Sequence, residues 1–136
     1  MEMNEVRAKE IRIDNLEALK IIADPFRTQI VEILLLEPLT VKQVADKLGL
    51  APSKLYYHVN QLEKHGFIEI VETRMVANLQ EKIYQACGGN IHIAADLLNF
   101  RTPDGKENIN QVLLSVLDTT REDILRSMQA RTFELE

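Results

Sequence analysis

Apolar residues recur at helical spacing through the first half of the chain and change to strict alternation near residue 68. The first helical segment, IDNLEALKIIADP, opens with Asp14, and Glu17 follows three residues later. That spacing predicts an N-cap with a capping box. The helix is expected to end near Asp24, because the residue before a proline disfavours helical geometry. Its predicted apolar stripe consists of Leu16, Leu19, Ile22 and Ala23.

The segment DPFRTQIVEILLLEP predicts a second helix. Asp24 is placed as its N-cap, and Pro25 occupies the first helical position, where the missing N–H costs nothing. Pro38 is expected to end this helix. The predicted buried face consists of Phe26, Ile30, Ile33 and Leu34.

The segment TVKQVADKLG predicts a third helix that begins with a complete capping box, Thr40 with Gln43. Gly49 is suited to the left-handed position after its last turn. Only a short turn separates Gly49 from Pro52, where a fourth helix is expected to begin. Two helices joined by a tight glycine-containing turn are typical of a helix-turn-helix. The predicted buried face of the third helix consists of Val41, Val44, Ala45 and Leu48.

The fourth helix, expected over residues 52–65, divides into an apolar and a polar side at 100° per residue. The apolar side carries Leu55, His58, Val59 and Leu62. The opposite side and its flanks carry Ser53, Lys54, Tyr56, Tyr57, Asn60, Gln61 and Lys64. His58 is expected to be packed and hydrogen-bonded at the edge of the apolar side, and His65 to complement the helix dipole.

After Gly66 the apolar period changes to two, since Ile68 and Ile70 alternate with Glu69. This pattern predicts two antiparallel strands, at about 68–73 and 81–86. Asn78 lies between the strands and tolerates a left-handed turn. A helix-turn-helix followed by such a hairpin is a winged helix.

The last third of the sequence is less regular. Residues 91–100 are compatible with a short helix or with irregular structure, and TPDG is interpreted as a turn. A long helix is then expected from about Glu107 to Arg131. Its apolar stripe consists of Ile109, Val112, Leu113, Val116, Leu117, Thr120 and Ile124. Such a stripe needs a covering surface, either the chain's own first helix or a second subunit. The final residues, ARTFELE, contain no helix stop signal, as expected of a chain that continues.

These elements predict a mainly α fold with a small β-hairpin, namely a winged helix-turn-helix followed by a C-terminal dimerisation helix. The expected organisation is an N-terminal arm over residues 1–13, a winged helix-turn-helix domain over 14–86 and a helical dimerisation region over 87–136. The length of 136 residues is ample for one hydrophobic core without metal or disulfide support.

Composition excludes several classes of protein. The longest apolar stretches are only a few residues, and the charged N-terminus lacks the apolar region of a secretory signal. A single cysteine, Cys87, excludes an internal disulfide, so the cytoplasm is the expected location. The sequence has no glycine-rich phosphate loop, GxSxG or HExxH motif, and we expect neither an enzyme nor a bound cofactor. Cys87 and His92 alone are too few for a metal site.

The net charge of −5 does not favour a nucleic-acid partner, but its distribution matters more than the total. Residues 38–85 contain six Lys or Arg and five Asp or Glu, whereas the segments on either side are more acidic. An acidic protein binds DNA when its basic groups share one face.

Several motifs together resemble the ArsR-type winged-helix transcriptional regulators of prokaryotes. These are the helix opening ADPFR, the block LTVKQVADKLGLAPSKLYYHVNQLEKHGFIE and the second wing strand EKIYQA, in order over about residues 16–86. The resemblance implies a homodimeric DNA-binding regulator. This chain departs from the family pattern at Ala51, where serine is frequent, and at Asn78, where the wing often has glycine. It also lacks the paired cysteines of metal-sensing members, so metal sensing is not implied.

A helix that enters the major groove contacts base edges from its N-terminal half, and lysines contact phosphates. The candidate DNA-binding residues, from the third helix, the recognition helix 52–65 and the wing 73–81, are Thr40, Lys42, Gln43, Ser53, Lys54, Tyr56, Tyr57, Asn60, Gln61, Lys64 and Arg74. Tyr56 is the member most compatible with a structural role. The candidate dimerisation residues are Leu16, Leu19, Ile109, Val112, Leu113, Val116, Leu117 and Ile124.

The expected partners are double-stranded DNA with an inverted-repeat operator and a second copy of the chain, and the expected activity is repression. Two alternatives stay open. One is a winged-helix module that binds protein rather than DNA, which the acidic charge and Ala51 allow. The other is a ligand-responsive sensor whose small-molecule effector binds the C-terminal region.

Overall fold

The computed structural model describes residues 9–134 of the chain, with side chains for residues 9–118 and 121. Five α-helices, five β-strands and two short 3₁₀ turns lie in this range. The helices are α1 (Leu16–Ala23), α2 (Pro25–Leu36), α3 (Val41–Leu48), α4 (Tyr56–Lys64) and α5 (Pro103–Glu134). The strands are β1 (Glu10–Ile13), β2 (Leu39–Thr40), β3 (Ile68–Val76), β4 (Leu79–Ala86) and β5 (Asn90–Ile93). The 3₁₀ turns are Pro52–Lys54 and Ala95–Leu98.

The chain forms two compact units, one that ends at Ala94 and one that begins at Ala95. The first contains the helix-turn-helix elements and both sheets, and the second contains α5. The predicted boundary at residues 86/87 therefore differs from the observed division. The physical reason is that β5 pairs in parallel with β1, from Glu10 with Asn90 to Ile13 with Ile93. Residues 10–13, expected in an N-terminal arm, are thus a strand of the first unit.

Gly88 permits this parallel pairing. A Cβ atom at Gly88 would lie 2.5 Å from the backbone oxygen of Lys9, which is closer than side-chain carbons approach backbone. The Gly89 N–H donates to the same oxygen at 2.8 Å, and the Ala94 N–H donates to the oxygen of Ile13 at 2.8 Å. Glycine is therefore the residue that lets the two backbones meet here.

The predicted starts of α2 and α3 are confirmed. The Asp24 carboxylate accepts hydrogen bonds from the N–H groups of Phe26 and Arg27, at 2.9 and 3.3 Å. The capping box of α3 is present, since the Gln43 N–H donates to Thr40 Oγ1 at 3.2 Å and Gln43 Oε1 accepts from the Thr40 N–H at 2.9 Å. Each of these bonds satisfies a donor that the helix itself leaves unpaired.

The prediction of Asp14 as the N-cap of α1 is wrong. Asn15 has the extended backbone of a cap, and its Oδ1 accepts from the Ala18 N–H at 2.8 Å. The helix begins one residue later than the sequence pattern indicated, so Glu17 does not occupy the capping-box position. Asp14 instead accepts a bond from the Asn15 side-chain amide at 3.2 Å.

The core of the first unit lies between α1, α2, α3, α4 and the three-stranded sheet β2–β4–β3. The apolar faces of α3 and α4 are as predicted, except that Leu48 and His58 are half-buried. On α2 the prediction was wrong in part, because Val31 is buried while Phe26 and Ile33 are half-buried. The apolar side chains of this unit with at most 2% exposure are Ile13, Ile30, Val31, Leu34, Val44, Ala45, Leu55, Val59, Leu62, Phe67, Ile68 and Ala86.

In the second unit the predicted turn at TPDG is wrong. Pro103 is the first residue of α5, and the Gly105 N–H donates to Thr102 Oγ1 at 3.0 Å. Thr102 therefore acts as a cap, followed by proline at the first helical position, which is a favourable helix start. None of the helices in the described part of the chain is both long enough and apolar enough to span a bilayer.

The cap of α1 offers a direct test of the described register. Asn15→Ala is expected to lower the free energy of unfolding by about 1 kcal/mol, because the Ala18 N–H loses its acceptor. The measurement is urea denaturation of the full chain.

The neighbouring substitution Asp14→Ala is the control. It is expected to change the same free energy by less than about 0.5 kcal/mol, because the exposed Asp14 caps no helix. A larger loss of unfolding free energy for Asp14→Ala than for Asn15→Ala would show that Asp14 is the N-cap of α1.

Candidate nucleic-acid interface

The turn between α3 and α4 is built by backbone bonds. Gly49 adopts the left-handed conformation at φ 68°, and the Leu50 N–H donates to the Ala45 oxygen at 2.9 Å, which closes the end of α3. The predicted continuous helix over 52–65 is divided, because Pro52–Lys54 form a 3₁₀ turn before α4 begins. The Leu55 N–H donates to the Pro52 oxygen at 2.9 Å, and the Leu55 side chain is fully buried. Ala51 provides no side-chain cap.

Burial of one side of α4 leaves the opposite side exposed. Leu55, Val59 and Leu62 are at most 2% exposed, whereas Tyr57 is 62% exposed. The exposed residues of the turn and α4 are Ser53, Lys54, Tyr56, Tyr57, Asn60 and Lys64. The only ion pair among the side chains that the structure describes joins Lys47 to Glu37 at 3.3 Å. The ammonium groups of Lys54 and Lys64 are therefore available to an anionic partner.

The other residues predicted to contact DNA differ in their exposure. Thr40 is 7% exposed and its hydroxyl accepts the Gln43 N–H, so its side chain is not on the accessible surface. The expected capping role of Thr40 is thus present, and its contact with DNA stays a prediction. Lys42 and Gln43 are exposed at the start of α3. Gln61 is half-buried, and its backbone oxygen lies 2.9 Å from His65 Nδ1.

Arg27 is a residue of this surface to which the sequence analysis assigned no role. Its Nε donates to His58 Nδ1 at 3.1 Å, and its Nη1 donates to the Ile21 oxygen at 3.2 Å. The guanidinium carbon lies 5.9 Å from the centroid of the Tyr57 ring, within the range of a cation–π contact. The only sequence signal for this contact was the position of Arg27 in the ADPFR motif.

His58 belongs to the same cluster. The prediction that it is packed and hydrogen-bonded is confirmed. Its ring stacks on Phe26 with centroids 5.8 Å apart, and it meets Tyr57 edge-on at 5.7 Å. The start of α2 thus holds the Tyr57 side chain in place through Arg27 and His58, while most of that side chain remains exposed.

The two strands of the hairpin are longer than predicted, because β3 continues to Val76 and β4 begins at Leu79. Its turn consists of Ala77 and Asn78, both with positive φ, at 51° and 66°. The left-handed conformation expected for Asn78 is confirmed, and two such residues are typical of a tight hairpin turn. Arg74 is exposed and lies opposite Glu81. No ion pair joins Arg74 to a carboxylate within the described residues.

The predicted dimerisation residues differ in how far they are buried. Leu19 is 3% exposed and packs in the core of its own unit, which contradicts a role at a subunit interface. Leu16 is half-buried. On α5, Leu113 and Leu117 are 54% and 62% exposed, and Ile109, Val112 and Val116 are half-buried. The side chain of Ile124 lies outside the described part of the chain.

Cys87 is poorly suited to metal or redox chemistry. The thiol is half-buried, and this burial, together with the negative charge of Glu69, raises its pKa to about 11. The neutral thiol therefore predominates at pH 7, whereas the thiolate is the metal ligand and the nucleophile. Among the side chains that can be described, no three His, Cys, Asp or Glu residues meet in a potential metal site.

Comparison with known proteins adds sequence evidence to this geometry. Residues 22–71, which include α2, α3 and α4, match the model of the helix-turn-helix domain family. Among curated proteins, no relative matches the chain.

Solved structures of transcriptional regulators are among those similar to this chain. The transcriptional regulator HlyU from Vibrio vulnificus CMCP6 is 30% identical over 52% of this chain and 68% of its own length, with a TM-score of 0.42. The transcriptional regulator homologue from Pyrococcus horikoshii OT3 is 21% identical over 76% of this chain and 87% of its own, with a TM-score of 0.42. Because both TM-scores are low, the assignment depends on the domain match, the identity to HlyU and the winged-helix order of elements. The chain belongs to the ArsR-type family of winged helix-turn-helix transcriptional regulators, which are DNA-binding proteins.

Proposed function

We propose that this regulator is a cytoplasmic homodimeric repressor without catalytic activity or bound cofactor. In this proposal α4 and the turn before it enter the major groove, and the hairpin over residues 73–81 contacts the flanking DNA. The observation that supports it most directly is the exposed face of α4. There Tyr57, Asn60 and Lys64, together with Lys54 of the preceding turn, are solvent-accessible on the side opposite to Leu55, Val59 and Leu62.

Each exposed side chain suits a different part of a duplex. Ser53 and Lys54 lie at the N-terminal end, which approaches the base edges most closely. Asn60 has the donor and acceptor that adenine requires in the major groove. Lys64 suits a phosphate, and the Tyr57 hydroxyl suits a phosphate or a base edge. Repression requires only that the bound protein occlude its operator.

A second subunit is proposed to cover the apolar stripe of α5. Leu113 and Leu117 expose most of their surface one turn apart on α5, and the neighbouring Leu114 is exposed as well. A two-fold dimer places two recognition helices on half-sites about 10 base pairs apart. An inverted-repeat operator follows from that symmetry.

Selection of duplexes from a random pool by the full chain, followed by fluorescence anisotropy at several salt concentrations, tests DNA binding. We expect an enriched inverted repeat and an affinity that falls steeply with salt, because bound phosphates release counterions. Failure to enrich any sequence, together with binding that ignores salt, would instead favour a protein-interaction module. The acidic net charge of −5 and the apolar Ala51 are the features of the sequence that favour such a module.

Lys54→Ala and Tyr57→Ala are each expected to weaken binding to the enriched duplex by about tenfold, which corresponds to about 1.4 kcal/mol. Both side chains are exposed, so the free energy of unfolding should change by less than about 0.5 kcal/mol. Lys47→Gln is the matched control, since it removes a charge that already pairs with Glu37 and should leave affinity within about twofold. Unfolding of either alanine variant would show that the residue is structural.

Arg27→Lys tests the positioning of Tyr57. Lysine keeps the charge but cannot form the same directed bond to His58 while covering the Tyr57 ring. We expect a severalfold loss of affinity with an unchanged salt slope, because the number of phosphate contacts stays the same. A salt slope lower by about one per subunit would show that Arg27 itself contacts phosphate.

Leu113→Lys and Leu117→Lys are expected to convert a dimer to a monomer in sedimentation-velocity experiments, because each places a charge in the apolar stripe. Asp118→Lys is the control. Asp118 is exposed on the same helix but lies on the side opposite to the stripe, so this variant should remain dimeric. Equal effects of all three substitutions would contradict the proposed interface.

A further inference from the structure

The β3–β4 hairpin carries its two positive charges on opposite faces. Residues directly opposite in an antiparallel pair share a face, and successive residues of a strand alternate between faces. Lys82 lies opposite Thr73, and Arg74 lies opposite Glu81. Since Glu81 and Lys82 are consecutive, Arg74 and Lys82 project to opposite sides of the hairpin.

A β-bulge sets this arrangement. Ile70 lies opposite Tyr84, but Glu72 lies opposite Ile83, so β3 contains one extra residue at Val71. A bulge reverses the alternation of the strand that contains it. Without this bulge Arg74 would share a face with Ile70 and Tyr84. With it, that face carries Thr73 and Met75 instead.

The two faces differ in charge beyond the bulge. The face that contains Tyr84 carries Thr73, Met75, Gln80 and Lys82, with one positive charge and no carboxylate. The other face carries Glu72, Arg74, Val76, Leu79 and Glu81, with one positive and two negative charges. A phosphate backbone would therefore be attracted to the first face and, on balance, repelled by the second.

The neighbours of Tyr84 indicate which face turns toward α4. Tyr84 is 5% exposed and Ile83 on the other face is 4% exposed, so burial alone does not distinguish the two faces. The pKa of the Tyr84 hydroxyl is raised by its burial and further by Glu63 and Tyr56, both of α4. Together with the packing of α4 against β3, these neighbours support an assignment of the Tyr84 face to the side of the recognition helix.

We propose that the wing contacts DNA through the face defined by Thr73, Gln80 and Lys82, and that Arg74 points away from the duplex. The proposal rests on the proposed DNA-binding function and names the residues with which the wing performs it. The Lys82 ammonium binds a phosphate beside the groove that α4 occupies. The Thr73 hydroxyl and the Gln80 amide are neutral donors that suit the adjacent phosphate and sugar oxygens.

Lys82→Gln and Arg74→Gln form a matched pair, since each removes one charge from an exposed position of the same hairpin. The full chain is titrated with the enriched duplex at several salt concentrations. We expect Lys82→Gln to weaken binding about fivefold and to lower the salt slope by about one per subunit, while Arg74→Gln stays within about twofold. Lys82→Arg should restore the slope, because it restores the charge. Urea denaturation of all three variants checks that the hairpin is folded.

The converse result, in which Arg74→Gln loses affinity and Lys82→Gln does not, would overturn the proposal. Equal losses or no loss from either substitution would also overturn it. A wild-type chain that shows no salt-dependent DNA binding would refute the proposed function itself, and this inference with it.

Covalent capture gives a second measurement that does not depend on charge. In a Cys87→Ser background, Thr73→Cys and Glu72→Cys place thiols on adjacent residues with opposite orientation. Against the enriched duplex carrying on a flanking phosphate a tether that ends in a mixed disulfide with a small thiol, Thr73→Cys should displace the small thiol and form a disulfide with the DNA much faster than Glu72→Cys. Faster capture by Glu72→Cys would reverse the assignment of the faces.

Discussion

The burial of one side of α4 is the constraint on which the rest of the interface depends. Leu55, Val59 and Leu62 enter a core formed by α2 and the start of β3. Each side chain contributes about 1.5–3 kcal/mol when fully buried, so their combined burial fixes the rotation of the helix about its axis. Once that rotation is set, the remaining residues of α4 have no choice of face. Tyr57, and Lys54 in the preceding turn, are exposed because they lie on the side opposite to the buried Leu55, Val59 and Leu62.

A second, more directional contact refines this arrangement. The hydrogen bond from Arg27 to His58 joins the first turn of α2 to the first turn of α4. Because Asp24 caps α2 at the same turn, the position of Arg27 is itself set by the helix start. The chain thus connects a local capping signal to the orientation of an exposed tyrosine 30 residues further along. An apolar core alone would leave that orientation to the side-chain rotamers.

The acidic net charge of −5 and a DNA-binding role are compatible in this molecule. What a duplex encounters is the local field of the surface that approaches it, and salt screens charges that are more than about 10 Å away. On the exposed side of α4 the lysines have no carboxylate partner among the described side chains. On the hairpin, one face combines a lysine with neutral donors, and the carboxylates lie on the other. Segregation of charge between faces therefore matters more than its sum.

The sequence by itself determined the order of the four helices and the hairpin of the winged helix-turn-helix, the caps of α2 and α3, the apolar side of α4 and the left-handed turn at Asn78. These depend on residues a few positions apart, whose spacing encodes helical or strand geometry directly. Only the tertiary structure decided the pairing of β1 with β5, the contact of Arg27 with His58, the burial of Leu19 and the face on which Arg74 lies. The first three join residues distant in sequence, and the last depends on a bulge at Val71 that no periodic pattern reveals. A single extra residue in β3 reverses every side chain beyond it, and only the register with β4 shows where that residue is.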